Sequence, residues 1–278
     1  MEKDINSISS EELKQQAWGI LLTKKKKSIL FTLFFFLLTF ALCILFDEEL
    51  WGYDESMGSN YDIAVILFNL AFYLAFSPLV VGFYKFFLQM SRGCTEKFSV
   101  LLSGFKKYIR NILAIIMADV IYYGLLVVLG IIFFIFVYVS AEGLDSLHIQ
   151  SKFLESGLYS FWMAILLAIA LALFFFLIFK TFALIEFLPF VLADNNNMGA
   201  FKLIRSFWKR TSPYNYKMIK LWFSFILWWV LCVITLGIAL LWVLPYWTLT
   251  KAEFYKRLFK EYSPIDVMED ISIETSNN

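Results

Sequence analysis

Three polar side chains lie inside long apolar stretches, where polar and ionisable groups are rare. Asp119 stands in the apolar run that begins at Ile112, Tyr122 follows it by one helical turn, and Asn69 lies in the preceding apolar run. Burying an ionised carboxylate in a bilayer is costly, so Asp119 should face other helices or be protonated. We predict a candidate intramembrane polar site at Asp119, Asn69 and Tyr122. It would be either a structural hydrogen bond between helices or part of a polar path for transport.

The sequence offers few residues that could carry out catalysis. The one histidine, His148, lies in a polar connection, where a solvated loop residue is expected. There is no glycine-rich phosphate loop, no Gly-x-Ser-x-Gly elbow and no His-Glu-x-x-His motif. The three cysteines suggest neither a disulfide framework nor a metal cluster. We therefore predict a non-enzymatic protein with no catalytic residues, no cofactor and no metal site.

Composition indicates the class of protein to which these residues belong. Hydrophobic residues make up 60% of the chain and the mean hydropathy is +0.72, and both values are far above those of an ordinary soluble domain. A net charge of +1 gives no support to nucleic-acid binding. We predict an all-α, polytopic membrane helix bundle in the cell membrane. It would have a cytoplasmic segment (1–28), one membrane domain (29–260) and a disordered cytoplasmic tail (261–278). The first segment should contain an amphipathic helix that starts at the capping-box pair Ser9 and Glu12 and lies along the membrane surface.

The charges in the connections predict the orientation of the bundle. The connections 47–62 and 140–157 are mainly acidic, whereas 85–110 and 194–220 each contain six Lys or Arg residues. Basic connections stay in the cytoplasm, so this alternation places both termini there. Within the fourth run, Lys180 and Glu186 are expected to reach the headgroups with their long side chains.

The uncharged stretch 221–250 decides the number of spans. It is too long for one upright helix and short for two. Lys251 begins another basic cluster, which should also be cytoplasmic. We predict two crossings with an outer turn at 235–237, where Gly237 adopts the left-handed conformation. The total is then about six spans, and a single crossing would give five.

The two basic connections resemble each other. The segments "FSVLLSGFKK" (98–107) and "FKLIRSFWKR" (201–210) carry phenylalanine, serine and basic residues at matching positions. We predict a parallel internal repeat of units 61–139 and 158–250, each with an amphipathic cytoplasmic surface helix, in which Ser103 corresponds to Ser206. The alternative is that any two basic amphipathic helices look alike.

Basic residues at the ends of these two segments are candidate contacts for the membrane surface. Anionic headgroups attract Lys and Arg close to the cytoplasmic leaflet. We predict that Lys106, Lys107, Lys209 and Arg210 contact anionic lipid headgroups or a membrane protein partner.

Several stretches resemble one family of integral membrane proteins. They are "SEELKQQAW", "LPFVLADN", "SFILWWVL", "TLGIALLWVLPY" and "TKAEFYKRL". Together they resemble the domain of unknown function 975 family, which is common in Gram-positive bacteria and is similar to the membrane domain of some glycerophosphodiester phosphodiesterases. The resemblance implies a membrane fold and a cell-membrane location, and it implies no activity.

Three classes of function fit these observations. The first is a non-enzymatic envelope or accessory protein that binds lipid or a membrane partner. The second is a small transporter or export accessory, for a peptide or small molecule, with a polar path near Asp119. The third, an intramembrane enzyme, is the weakest, because it needs paired acid and base groups that the sequence does not show.

Overall fold

A computed structural model describes residues 9–47, 49–52, 56, 58–95, 97–138, 157–194 and 198–260. Every regular element within these ranges is a helix, which confirms the all-α class. The predicted disordered segment 261–278 and His148 lie outside the described residues. The α-helices are α1 (Ser10–Thr23), α2 (Lys25–Leu45), α3 (Ser59–Ser91), α4 (Tyr108–Tyr138), α5 (Gly157–Ala193), α6 (Ala200–Thr211), α7 (Asn215–Phe223), α8 (Ile226–Ile234) and α9 (Leu240–Lys260), and short 3-10 helices cover Glu49–Trp51, Phe98–Lys107 and Ser212–Tyr214.

Within the part of the chain that the structure describes, four helical stretches are long and apolar enough to cross a membrane. A shorter apolar stretch, Leu167–Ile178, lies in α5. These helices are compatible with the predicted membrane class, and the count of six spans stays a prediction. The four stretches are Lys25–Leu45, Ser59–Ser91, Phe98–Phe134 and Ala200–Ile234.

The hydrophobic core lies at one end of the bundle, which we call the packed end. Helices α2 and α3 run antiparallel, so the first half of α2 meets the second half of α3, with Phe31 stacked on Phe86 at 3.6 Å between ring centroids. The second half of α5 joins them through Phe190, which is fully buried. At the opposite end, the open end, Phe40 and Phe134 are 65% and 69% exposed. Apolar side chains left exposed on long helices are those expected to face lipid.

Helix α1 begins where its sequence pattern indicates, but its apolar face packs differently from the expectation. The backbone N–H of Glu12 donates to the Ser9 hydroxyl at 3.1 Å, which caps the helix start. The apolar face formed by Leu13, Ala17 and Leu21 is buried, and α1 packs against α9. This face was expected to lie on the membrane surface. Because α9 covers it, its apolar side chains contact protein instead.

The segment 98–107 is a 3-10 helix held tightly against α3. A side chain at Gly82 would overlap the backbone carbonyl of Leu101, and one at Gly104 would overlap that of Pro78. Glycine is therefore required at both positions for the backbones to approach. Pro78 lacks an N–H and leaves the carbonyl of Leu74 unbonded within α3, and the Tyr108 hydroxyl donates to that carbonyl at 3.4 Å.

Helix α6 occupies the corresponding place in the second predicted repeat unit, with a different structure. It is an α-helix that buries Leu203, Ile204 and Phe207 within the protein. The Ser206 hydroxyl donates to the Leu203 carbonyl at 3.0 Å, whereas the Ser103 hydroxyl is buried with no hydrogen-bond partner among the described residues. The two segments follow their long helices after links of equal length, 92–97 and 194–199. The element order is shared, and the superposition of the two units stays a prediction.

The predicted turn at 235–237 is present between α8 and α9. Leu236 and Gly237 have φ angles of 51° and 88°, and the Gly237 N–H donates to the Cys232 carbonyl at 2.8 Å. This is the left-handed helix ending expected of Gly237. Helix α8 has nine residues, so it is roughly 13 Å long at 1.5 Å per residue. Together, α7 and α8 have the length of one span, with a bend at Ser224 and Phe225.

Candidate functional site

A buried lysine lies at the centre of the packed end. Lys251 of α9 is 1% exposed, and its ammonium donates to Glu186 Oε2 of α5 at 2.6 Å and to the Tyr84 hydroxyl of α3 at 2.9 Å. The same nitrogen lies 4.7 Å from the ring centroid of Tyr84 and 5.1 Å from that of Trp247. A buried charge is tolerated when such partners compensate for its lost hydration. This contact joins three helices through one side chain.

A second buried contact joins α9 to the end of α3. Glu253 is 4% exposed and accepts a hydrogen bond from the Ser91 hydroxyl at 2.8 Å. Lys256 donates to both carboxylate oxygens of Glu253, at 2.9 and 3.1 Å, and to the Ser91 carbonyl at 2.7 Å. That carbonyl is one of the last in α3, where backbone acceptors lack partners within the helix. Lys256 thus caps α3 and neutralises Glu253.

A third contact joins the ends of α3, α5 and α9. Arg92 forms a bidentate ion pair with Asp194, with N–O distances of 2.5 and 3.0 Å, and the Tyr255 hydroxyl donates to Asp194 at 3.1 Å. The hydrogen bond to Asp194 raises the pKa of the Arg92 guanidinium. Burial, followed by the nearby Asp194 carboxylate, raises the pKa of Tyr255 well above its ordinary value. Tyr255 therefore stays neutral and donates a hydrogen bond to the Asp194 carboxylate.

We call these three contacts the polar network. Its members are Tyr84, Ser91, Arg92, Glu186, Asp194, Lys251, Glu253, Tyr255 and Lys256. A groove of about 500 Å³ adjoins it between α1, α9 and the end of α3, and its lining includes Gln16, Lys24, Met90, Glu253 and Lys256. The network's acids and bases are paired with each other, so the arrangement fixes helices in place. Within the described residues, no group of three His, Cys, Asp or Glu side chains could hold a metal ion.

The predicted intramembrane residues make separate contacts. The Tyr73 hydroxyl of α3 donates to Asp119 Oδ2 of α4 at 2.6 Å, in a half-buried position. Asn69 donates its amide to the Val65 carbonyl of its own helix at 2.7 Å. The ring centroid of Tyr122 lies 5.3 Å from that of Tyr123. The structure thus joins Asp119 to Tyr73 and places Asn69 and Tyr122 in other surroundings.

The four predicted basic contacts lie at the packed end. Lys106 and Lys209 are exposed, and Lys107 is half-buried. Arg210 is also half-buried, with its guanidinium carbon 5.9 Å from the ring centroid of Phe259. The exposed face of α6 adds Lys202 and Arg205 on the same side as Lys209.

The polar network was not predicted from the sequence. Glu186 was expected to reach the headgroups, but it pairs with the buried Lys251, because an ammonium is available at that depth. The side chain of Lys180 lies outside the described residues. One sequence signal could have indicated the pair. An isolated acid near the end of one apolar run and a base directly after another are natural partners within a membrane bundle.

Comparison with known proteins adds a family to this geometry. No curated protein and no solved structure matches the chain. A family model described as "Protein of unknown function (DUF975)" matches residues 4–261, which include every member of the polar network. The chain therefore belongs to the DUF975 family.

Proposed function

We propose that the protein is a non-enzymatic, multi-pass protein of the cell membrane that binds anionic lipid headgroups with the packed end. One observation carries this proposal. Helix α6 buries its apolar face in the protein and turns Lys202, Arg205 and Lys209 outward. A helix fixed in this way holds its cations at set positions before any lipid arrives, which lowers the entropy lost on binding.

The expected strength of the interaction follows from the number of cations. A basic residue near an anionic leaflet contributes about 1 kcal/mol, and the effect falls off within a Debye length. Several cations that act together would therefore enrich anionic lipid around the packed end. The same surface could serve as an accessory site for an acidic membrane protein partner, because the attraction depends on charge.

The test replaces Lys106, Lys107, Lys209 and Arg210 together by Gln in protein reconstituted in nanodiscs of phosphatidylcholine and phosphatidylglycerol. We expect the variant to retain less phosphatidylglycerol than the unchanged protein, measured by mass spectrometry of the retained lipid, with Lys202 and Arg205 accounting for the enrichment that remains. The charge-preserving variant K106R/K107R/K209R/R210K is the matched control and should keep it. Equal enrichment in the two variants would contradict the proposal.

The topology that we propose has about six spans and both termini in the cytoplasm, with the repeat units 61–139 and 158–250. It places the packed end, and with it the exposed Cys94, on the cytoplasmic side. A membrane-impermeant maleimide applied to intact cells should leave Cys94 unlabelled, and the same reagent should label it after permeabilisation. The Gram-positive setting and the likeness to the membrane domain of some glycerophosphodiester phosphodiesterases stay predictions.

A small transporter or export accessory is the second candidate, because Tyr73 and Asp119 form a polar contact within the apolar helices α3 and α4. In that case Asp119→Asn should abolish the cellular phenotype at normal expression, since it removes the ionisable group and keeps a hydrogen-bond acceptor. The quadruple Gln variant would then be silent.

A further inference from the structure

The segment 261–278 carries charge of one sign. Its acidic residues are Glu261, Asp266, Glu269, Asp270 and Glu274, and it contains no Lys or Arg. Three of them, Asp266, Asp270 and Glu274, recur at intervals of four residues. A segment of this kind is attracted to any nearby cluster of cations, and the attraction weakens as salt is added.

The described part of the chain ends beside such a cluster. The ring of Phe259, in the last turn of α9, stacks on Phe207 of α6 at 6.2 Å with an interplanar angle of 2°. The guanidinium carbon of Arg210, also on α6, lies 5.9 Å from the ring centroid of Phe259. The last turn of α9 therefore lies next to α6, and the segment 261–278 follows it directly in sequence. A helix of 12 residues is roughly 18 Å long, and an extended chain covers that length in about six residues.

The face of α6 that this segment can reach is basic and exposed. Lys202, Arg205 and Lys209 follow one another at intervals of three and four residues, so they share one side of the helix. Phe201, at the start of the same helix, is 65% exposed and offers an apolar contact. We call Lys202, Arg205 and Lys209 the basic face.

We propose that the acidic segment 261–278 docks on the basic face of α6 and competes there with anionic lipid. The docking is inferred from the opposite charges of the segment and the basic face and from the position of Phe259. The competition also rests on the proposed function. Each exposed ion pair is weak, so docking depends on several pairs and on the millimolar effective concentration that a short tether provides. A leaflet rich in anionic lipid displaces the segment, and a neutral leaflet leaves it in place.

The docking is tested in neutral detergent without lipid. Nitroxide labels are attached at Phe201→Cys and Ile271→Cys after Cys43, Cys94 and Cys232 have been replaced by Ala. Double electron–electron resonance should give a narrow, short distance distribution at low salt. The matched control carries the same labels and Gln or Asn at the five acidic positions. It should give a broad, longer distribution, as should the variant K202Q/R205Q/K209Q. Identical distributions for the acidic and neutral segments would overturn the docking.

The competition is tested with the same three proteins, unlabelled, and with a fourth that combines the neutral segment with K202Q/R205Q/K209Q. All four are reconstituted in nanodiscs of phosphatidylcholine containing one-fifth phosphatidylglycerol. Neutralising the segment should raise retained phosphatidylglycerol several-fold, and it should have no effect when the basic face is also neutralised. If retention is the same with both segments, the competition is overturned even where docking is observed. If retention is also insensitive to K202Q/R205Q/K209Q, the lipid-binding function itself fails. The two failures are thereby distinguished.

Discussion

Two polar contacts between helices, one at the packed end and one between the apolar helices α3 and α4, differ in how much structure depends on them. Lys251 joins three helices and is fully buried, with two hydrogen bonds and two aromatic rings around its ammonium. Asp119 joins two helices through one hydrogen bond from Tyr73 and is half-buried. The energetic weight of a polar group in this bundle therefore depends on burial and on the number of partners.

The largest expected effect is at Lys251. Lys251→Met leaves the Glu186 carboxylate without its cation, and removal of one partner of a buried pair typically destabilises by about 3–5 kcal/mol. The Glu186 side chain is 23% exposed, so we expect a loss in the lower part of this range. The quantity measured is the free energy of unfolding in mixed micelles. Lys202→Met on the exposed face of α6 is the control and should change the free energy of unfolding by less than about 0.5 kcal/mol. Equal stability of these two variants would refute the comparison.

A double variant sharpens the same point. Lys251→Met combined with Glu186→Met removes both charges and fills their space with apolar groups. A buried pair can often be replaced in this way with little loss. The double variant should therefore be more stable than Lys251→Met alone, and a double variant that is worse would show that packing, rather than unpaired charge, decides the loss.

The next effect contrasts glycines of the two regions. Gly82→Ala would push a methyl group into the Leu101 carbonyl, and overpacking of this kind costs about 1–3 kcal/mol. Gly124→Ala in α4 meets nothing within 4 Å and should be neutral or stabilising, by up to about 1 kcal/mol from helix propensity. Thermal unfolding of the two variants, side by side, measures the difference. A tolerated Gly82→Ala would mean that segment 98–107 is not held against α3 by backbone contact.

The smallest effect is expected at the hydrogen bond between Tyr73 and Asp119. Tyr73→Phe removes the hydrogen bond to Asp119, and such bonds within membranes average about 0.6 kcal/mol, with a maximum near 1.7. Tyr123→Phe, whose ring is 59% exposed, serves as the control and should be silent. The free energy of unfolding of these variants, measured in the same mixed micelles as for Lys251→Met, allows a direct comparison of the two contacts. A loss at Tyr73 as large as that at Lys251 would reverse their ranking.

Local features of the fold could be predicted because they depend on neighbours in sequence. The helix start at Ser9 and Glu12 and the left-handed Gly237 both follow from residues within one turn. The burial of one face of α1 also followed from its spacing. What covers that face did not, because an apolar stripe has the same spacing whether it contacts lipid or another helix.

The polar network could not be predicted for a related reason. Glu186 and Lys251 are separated by 65 residues, and their pairing depends on how α5 and α9 pack. The 3-10 helix at 98–107 likewise depends on Gly82, which lies in a different helix and gives no local sign of the contact. Run lengths and charge counts identify the helices that can span a membrane, but they carry no information about which side chains meet.

The position of Lys251 also sets an order in time. Tyr84 is synthesised 167 residues earlier and Glu186 65 residues earlier, so at 5–20 residues per second Glu186 waits roughly 3–13 s for its lysine. Until then its carboxylate lacks the ammonium that compensates for its lost hydration, which disfavours packing of this part of α5 against its neighbours. Completion of α9 is thus the event that lets the packed end close. A copy whose synthesis stops before Lys251 retains an unpaired acid in an apolar helix, and we expect it to pack less stably than the full chain.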